Sequence, residues 1–401
     1  MKTVLIVGGG PAGLVAAKTL LRWKGTPFKV TIFEAAEHVG GMWRGRQGES
    51  GNKCSPEMRT NLSRFTVAFP DLPWQSVPLD VDEGFSTSSC PPMFPKAYQV
   101  GAYLEEYARR FVPSDVIQCN TKVVSAKLEG TPPRWTVISK NTQISSEQSY
   151  TFDYLVVASG FFDKPDRSIN STASSSGNWK VQHSADFRHV SSFGDKAGNI
   201  VVVGGGISGS EAAATAAFQI SNAKYAPGKS KPACSESKVY QVFDRPFYVL
   251  PRYVPPKPYD ADKQQFNTAP DFMPVDLNLY DLARRGTAEI IAANGPTPKE
   301  RAPKTHEFLR SMLGGDNSQF GPMQLIYEEE QLQYPAFTGI ADTYAEFVRS
   351  GLIVPIRGRA ARVVDAEGNV KIEISQTGTW SSRFPMSDVC LLHRKSSVAI
   401  G

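Results

Sequence analysis

The sequence predicts an α/β fold: two dinucleotide-binding, Rossmann-like domains, parallel sheets flanked by helices, and a first domain that is discontinuous in the chain. Three observations predict it. The stretch NIVVVGGGISGSEAAATAA (199–217) repeats the plan of VLIVGGGPAGLVAAKTL (4–20): an apolar strand, Gly-x-Gly-x-x-Gly, then an Ala-rich helix. Strand-like runs such as DYLVVAS (153–159) and VYQVF (239–243) alternate with helical runs such as VGAYLEEYARRF (100–111), the pattern of a parallel sheet with crossover helices. The chain has 401 residues, enough for two domains that each bury a core.

In the first cradle, Gly8 permits a tight turn, Gly10 lets the backbone approach a pyrophosphate, and Gly13 lets helix and strand pack closely. The helix N-terminus then offers free N–H groups and a positive dipole end to the phosphates. An acid belongs at the end of the next strand. Glu34 in FKVTIFEAAE (28–37), 21 residues past Gly13, is placed to bind ribose hydroxyls. The second cradle uses Gly204, Gly206 and Gly209, and its next strand ends in VFDRPF, which puts Asp244 and Arg245 at the ribose end. An acid alone would suggest NAD, whereas an adjacent Arg can hold the 2′-phosphate of NADP. NADPH is therefore expected, a solvated surface charge being the other reading of Arg245. Two cradles imply two dinucleotides, and the chemistry that uses two is hydride transfer from a nicotinamide to a flavin. FAD is expected in the first site and NADPH in the second.

Composition narrows the class. Hydrophobic residues make up 41% and charged residues 21%, as in ordinary globular proteins. The net charge of +5 is spread without a basic block, so no nucleic-acid partner is expected. No apolar run approaches the roughly 20 residues of a membrane span, so no membrane segment is expected. The N-terminus enters a strand by Val4 rather than forming a signal peptide. Five cysteines (Cys54, Cys90, Cys119, Cys234, Cys390) show no C-x-x-C or C-x-x-x-x-C spacing. That argues against a disulfide scaffold, a zinc ribbon and a dithiol redox centre, and for a reducing, cytoplasmic setting without a metal.

The Ser-rich loop SINSTASSSGN (168–178) marks a boundary near residue 165. The expected layout is a first domain over 1–165 and a second over 166–345, with a helical insertion at about 259–337. Residues 346–401 are expected to return, incompletely, to the first domain.

The sequence resembles the flavin-containing monooxygenases of the soluble fungal and bacterial kind. EAAEHVGGMW (34–43) fits their E-x5-G-G-x-W pattern with Glu34, Gly40, Gly41 and Trp43. MRTNLSRFTVAFPDLPW (58–74) is similar to the family's segment under the flavin, with Asn61 at the Asn beside the reactive edge. FPKAYQVGAYLEEYA (94–108), VVASGFFDKP (156–165), SGSE (208–211) and RPFYVLPRY (245–253) match in order. The linker fingerprint F-x-G-x-x-x-H-x-x-x-F is half present. His183 and Phe187 fit, while Gly177 and Trp179 stand where Phe and Gly belong. Phe187, where Baeyer–Villiger relatives carry Trp, tilts the reading toward heteroatom oxidation. His183 reads as a structural histidine.

The resemblance implies that Gly8, Gly10, Gly13, Glu34, Gly41, Trp43 and Val123 hold FAD, and that Gly204, Gly206, Ser208, Gly209 and Arg245 hold NADPH. It implies oxygen transfer from O2 to a small-molecule amine or sulfide through a C4a-hydroperoxide of the flavin, with Asn61 as the catalytic amide. On residue grounds alone, Asn61 caps a turn, and the aromatics Phe65, Phe69 and Trp74 read as core. A Baeyer–Villiger or N-hydroxylating relative and an impaired nucleotide-binding remnant stay open, and a homodimer is compatible with the sequence. The remnant reading comes from MSDVCLLHRKSSVAIG (386–401). It begins like the family's D-x-V-I-x-A-T-G-Y strand at Asp388 and Val389, then departs. A shift of one nucleotide after Val389 can spell Val-Cys-Tyr-Thr-Gly, so a frameshift or altered splice, with weak FAD retention, is expected there.

Overall fold

The computed structural model describes residues 1–45, 54–55, 58–79, 92–160, 180–193, 198–228, 231–254, 259–260, 265–266, 272–283, 301–366, 369–375 and 389–392. The loop at 168–178, Gly177 and Trp179 of the linker fingerprint, and the tail beyond Leu392 lie outside the described residues. The chain divides into two compact units, Met1–Lys164 and Pro165–Gly401.

In the first unit, β1 (Lys2–Val7) is an apolar run with its middle buried on both faces. After the glycine turn comes α1 (Pro11–Leu21), with Pro at its first turn and Gly13, Leu14 and Ala17 against the sheet. Next come β2 (Phe28–Phe33), α2 (Ala97–Phe111) and β3 (Ile117–Gln118), followed by β4 (Thr121–Glu129), β5 (Arg134–Asn141), β6 (Glu147–Phe152) and β7 (Tyr154–Val157). A four-stranded sheet runs β3-β2-β1-β7, all parallel, and β4-β5-β6 forms an antiparallel meander. Val4, Ile6, Leu14, Ile32, Leu72 and Leu104 share one core with Tyr103 and Tyr107. Each such aliphatic side chain contributes about 1.5–3 kcal/mol by leaving water.

The second unit contains β8 (Lys180–His183), β9 (Ile200–Val203), α3 (Ile207–Tyr225), β10 (Val239–Phe243), β11 (Tyr248–Leu250), β12 (Tyr253–Val254), β13 (Tyr259–Asp260), β14 (Gln265–Phe266) and β15 (Met273–Pro274). Helices α4 (Val275–Ala283) and α5 (Arg301–Leu313) follow, then β16 (Thr338–Ile340), α6 (Tyr344–Arg349), β17 (Ile353–Arg357), the hairpin β18 (Arg359–Ala366) with β19 (Asn369–Ser375), and β20 (Val389–Leu392). The main sheet runs β17-β10-β9-β20-β8, all parallel.

The two sheets repeat one plan. The cradle strand β1 lies between β2 and β7, and β9 lies between β10 and β20. The edge strand β3 extends β2 as β17 extends β10. This corrects the expected return of residues 346–401 to the first domain. Among the described residues of that stretch, β17 and β20 complete the second sheet. The reason is register: Val389–Leu392 align with Ile200–Val203, the place that Tyr154–Val157 take beside β1 in the first unit. An apolar four-residue strand is stable where both of its edges find partners, and β8 and β9 supply them. No described helix is long and apolar enough to cross a membrane.

The segment 58–79 is tied to α1 and α2. Lys18 pairs with Asp71. The Trp74 indole donates to the Val67 carbonyl at 2.7 Å, and the Tyr103 hydroxyl donates to the Leu72 carbonyl at 2.7 Å. Arg110 donates to the Ser76 carbonyl at 2.5 Å while also gripping Glu106, which Arg109 grips as well. These two guanidiniums hold the Glu106 carboxyl down to about 2, against an ordinary 4.5. A depressed carboxylate stabilises the fold above its unfolded value, and that contribution is lost as pH falls from about 4.5 to about 2. Glu106→Gln should therefore flatten the fall in melting temperature across that window and leave the profile above pH 6 nearly parallel to wild type. Thermal scans at stepped pH check this.

Candidate functional site

In the first unit the cradle closes on itself. Gly8 has φ +107°, and its N–H donates to the Phe33 carbonyl at 2.8 Å. A Cβ on Gly13 would lie 1.9 Å from the Gly8 carbonyl oxygen. Close helix–strand contact thus needs glycine at 13, as the spacing implied. Glu34 is buried, and its two oxygens accept from the N–H groups of Gly9 at 2.6 Å and Ala36 at 2.8 Å. The Gly-Gly-x-Trp segment docks on the same loop. The Gly40 N–H donates to the Gly9 carbonyl at 2.9 Å, and a Cβ on Gly41 would lie 3.2 Å from the Gly10 Cα. Trp43 ends the following 3₁₀ turn, and Val123 packs with Leu5 and Phe33, two residues beyond Thr121, whose N–H donates to the Glu34 carbonyl. Gly8, Gly10, Gly13, Glu34 and Gly41 are thereby brought together.

The second cradle repeats this geometry. Gly204 has φ +139° and donates its N–H to the Val242 carbonyl at 2.8 Å. A Cβ on Gly209 would lie 2.2 Å from the Gly204 carbonyl oxygen, while one on Gly206 would meet nothing within 4 Å. Ser208 is exposed in the first turn of α3, and Ser210 turns inward to the Gly206 carbonyl. No side chain caps α1 or α3, and neither first turn holds an acid, so the dipole end of each is left for an anion.

The ribose positions differ, which corrects one expectation. Gly8 bonds Phe33 and the next residue is Glu34; Gly204 bonds Val242 and the next residue is Phe243. A Cβ on Gly9 would lie 3.3 Å from the Glu34 Cβ, and one on Gly205 would lie 2.7 Å from the Phe243 Cβ. Phe243, not Asp244, stands where Glu34 stands. It is 2% exposed, whereas Asp244 and Arg245 are exposed beyond it.

Asn61 lies half-buried on a bend between two clamps. The Thr60 N–H donates to the Pro95 carbonyl at 2.9 Å, and the Arg64 N–H donates to the Met93 carbonyl at 2.7 Å. Trp74 and Phe69 belong to the core below it, and Phe65 is exposed. His183 is structural in its visible role: Nδ1 accepts from the Ala185 N–H at 3.0 Å.

A family model described as pyridine nucleotide-disulphide oxidoreductase matches residues 2–225, more than half of the chain and both cradles. The chain belongs to this oxidoreductase family. A curated relative, flavin-containing monooxygenase FMO GS-OX5 of Arabidopsis thaliana, is 31% identical over 221 residues, covering 52% of this chain and 45% of the relative. The thiol-specific monooxygenase of Saccharomyces cerevisiae is 26% identical over 216 residues, 53% of this chain and 46% of that protein. The chain thus spans about half the length of the curated relatives it matches. Among solved structures, an oxidised steroid monooxygenase bound to NADP shares the fold, with TM-score 0.53 at 16% identity over 98% of this chain and 71% of that one.

Disulphide chemistry, part of the family's description, has little support in this oxidoreductase. Among the described residues, Cys54, Cys119 and Cys234 form no disulfide, and burial together with the Glu34 and Glu37 charges pushes the Cys119 thiol up, away from thiolate. Two site glycines were missed by sequence reasoning. A Cβ on Gly101, inside α2, would strike the Trp43 carbonyl at 2.4 Å. One on Gly339 would lie 2.4 Å from the Ser210 hydroxyl, so a side chain there would force Ser210 or β16 to shift. A lone glycine inside the helical run YQVGAYL was the available signal for the first.

Proposed function

We propose that this protein is a FAD- and NADPH-dependent monooxygenase that transfers one oxygen atom of O2 to a soft nucleophile, an amine nitrogen or a sulfide sulfur. The observation that carries the reading is the pair of cradles with unlike ribose ends: a carboxylate at Glu34 in one, a buried Phe243 followed by the cation Arg245 in the other. A carboxylate accepts from ribose hydroxyls, which suits FAD. Phe243 offers no such acceptor and Arg245 offers a fork of donors, which suits a 2′-phosphate. Both cradles fit a pyrophosphate, with uncapped helix N-termini and no Cβ at Gly10 or Gly206. The relatives named as flavin-containing and thiol-specific monooxygenases support the soft nucleophile. Cys54, Cys119 and Cys234 form no disulfide, which accords with a reducing, cytoplasmic setting.

FAD, when bound, would supply the redox chemistry, hydride acceptance from NADPH and activation of O2. The work of the protein's own residues is binding, orientation and exclusion of water. Gly8, Gly10, Gly13 and the first turn of α1 hold the pyrophosphate, and Glu34 fixes the ribose. Asn61 would supply an amide that donates and accepts without titrating, a hydrogen-bonding group that stays neutral at working pH.

The test is product analysis under isotopically heavy O2 with a sulfide, a tertiary amine and a ketone. Heavy sulfoxide or N-oxide is expected; ester from the ketone alone would make the protein a Baeyer–Villiger enzyme, and no labelled product from any would refute oxygenation. Arg245→Ala should weaken NADPH binding by roughly 10- to 100-fold, the worth of charged hydrogen bonds to a phosphate. NADH binding should change little. Equal loss of both in cofactor titrations would show that Arg245 does not read the phosphate.

A further inference from the structure

Arg245 rests on an aromatic ring. Its guanidinium carbon lies 4.3 Å from the centre of the Phe337 ring. Its ion pair with Asp244 is loose, at 3.9 Å, with both side chains more than half exposed. Such a pair contributes little to holding a long side chain in place. Phe337 is itself fixed by its backbone. Its N–H donates to the Tyr327 hydroxyl at 2.9 Å, and its carbonyl accepts from the Tyr248 N–H at 2.8 Å. Tyr327 stacks on Tyr248 with centroids 4.9 Å apart, and burial pushes the Tyr327 phenol up to about 12, so the hydroxyl stays protonated at working pH.

Stacking uses the face of a guanidinium and leaves its N–H edge free. A phosphate takes that edge, bidentately. The ring therefore restricts Arg245 without competing for its donors, and part of the ordering cost of a long side chain is met before any ligand arrives. The position matters as well. Arg245 is two residues beyond Phe243, the residue at the ribose end of the second cradle.

We propose that Phe337 is a positioning residue of the second site. By lying under Arg245 it presents the guanidinium edge to a phosphate on the ribose 2′ carbon, and so sets the preference for NADPH over NADH. The inference rests on the reading of the second cradle as the NADPH site.

The test uses two adenosine ligands that need neither flavin nor turnover. The purified full chain is titrated calorimetrically with 2′,5′-ADP and with 5′-AMP. Wild type should prefer 2′,5′-ADP. Phe337→Leu should lose about 3- to 10-fold of affinity for 2′,5′-ADP, the worth of a part-exposed cation–π contact, and keep its affinity for 5′-AMP. Phe337→Tyr, which keeps a ring under the guanidinium, should restore the preference. If wild type prefers 2′,5′-ADP and Phe337→Leu keeps that preference, the positioning role is overturned while the NADPH reading stands. Equal loss of both ligands in Phe337→Leu, not restored by Tyr, also overturns it, since that is damage to the cradle. A wild type with no preference overturns the NADPH reading itself.

Discussion

Gly13→Ala should yield a chain that keeps no flavin through gel filtration, while Gly209→Ala should keep its flavin and lose NADPH. The new methyl at 13 would lie 1.9 Å from the Gly8 carbonyl oxygen and 3.1 Å from its carbon, both backbone atoms. Gly8 cannot move aside cheaply. Its φ of +107° is already left-handed, its N–H is bonded to Phe33, and a Cβ of its own would meet the Ala158 carbonyl at 2.5 Å. Forced overpacking of this kind costs about 1–3 kcal/mol or more, here concentrated on the turn that must meet the pyrophosphate. A loss of roughly 5- to 150-fold in FAD affinity follows. At 209 the clash is with the Gly204 carbonyl at 2.2 Å, inside the other unit. Flavin content per chain and titration with NADP⁺ read the two sites separately. Loss of flavin from Gly209→Ala, with Gly13→Ala still yellow, would reverse the assignment of the cradles.

Asn61→Ala should leave reduction by NADPH intact but send oxygen to hydrogen peroxide. The bend is held by main-chain bonds from Thr60 and Arg64 to Pro95 and Met93, and by Ser63, which is fully buried. The substitution removes the amide and leaves these main-chain bonds in place. A preorganised donor near a developing charge is worth 10²–10³ in the step it serves, so the ratio of oxygenated product to peroxide should fall by about 10- to 100-fold. Peroxide released per NADPH consumed, measured with saturating substrate, gives the answer. Tight coupling in the variant would reduce Asn61 to a turn residue.

The cradles were legible because they are local: strand, glycines and helix lie within about 20 residues, and each glycine's role follows from a close approach. What depends on pairing between distant strands was not. VFDRPF reads as ending its strand at an acid, yet the register of β10 on β9 puts Phe243 at the ribose end, one residue earlier. VCLL reads as a strand, but nothing in four apolar residues says which sheet accepts it, and the open edges beside β9 and β8 decide. Phe337 carries no signal of its own in the sequence because its partner, Arg245, is 92 residues away. Glu34 was legible as an acid at a strand end, but not the fact that the Gly9 and Ala36 N–H groups already hold it.

Anaerobic mixing of the purified chain with NADPH, followed through the flavin absorbance band, tests the central claim of one flavin site and one NADPH site most directly. One FAD per chain should bleach completely with one equivalent of NADPH, and far more slowly with NADH. A chain that binds no FAD, or whose FAD is reduced by neither nicotinamide, would contradict it.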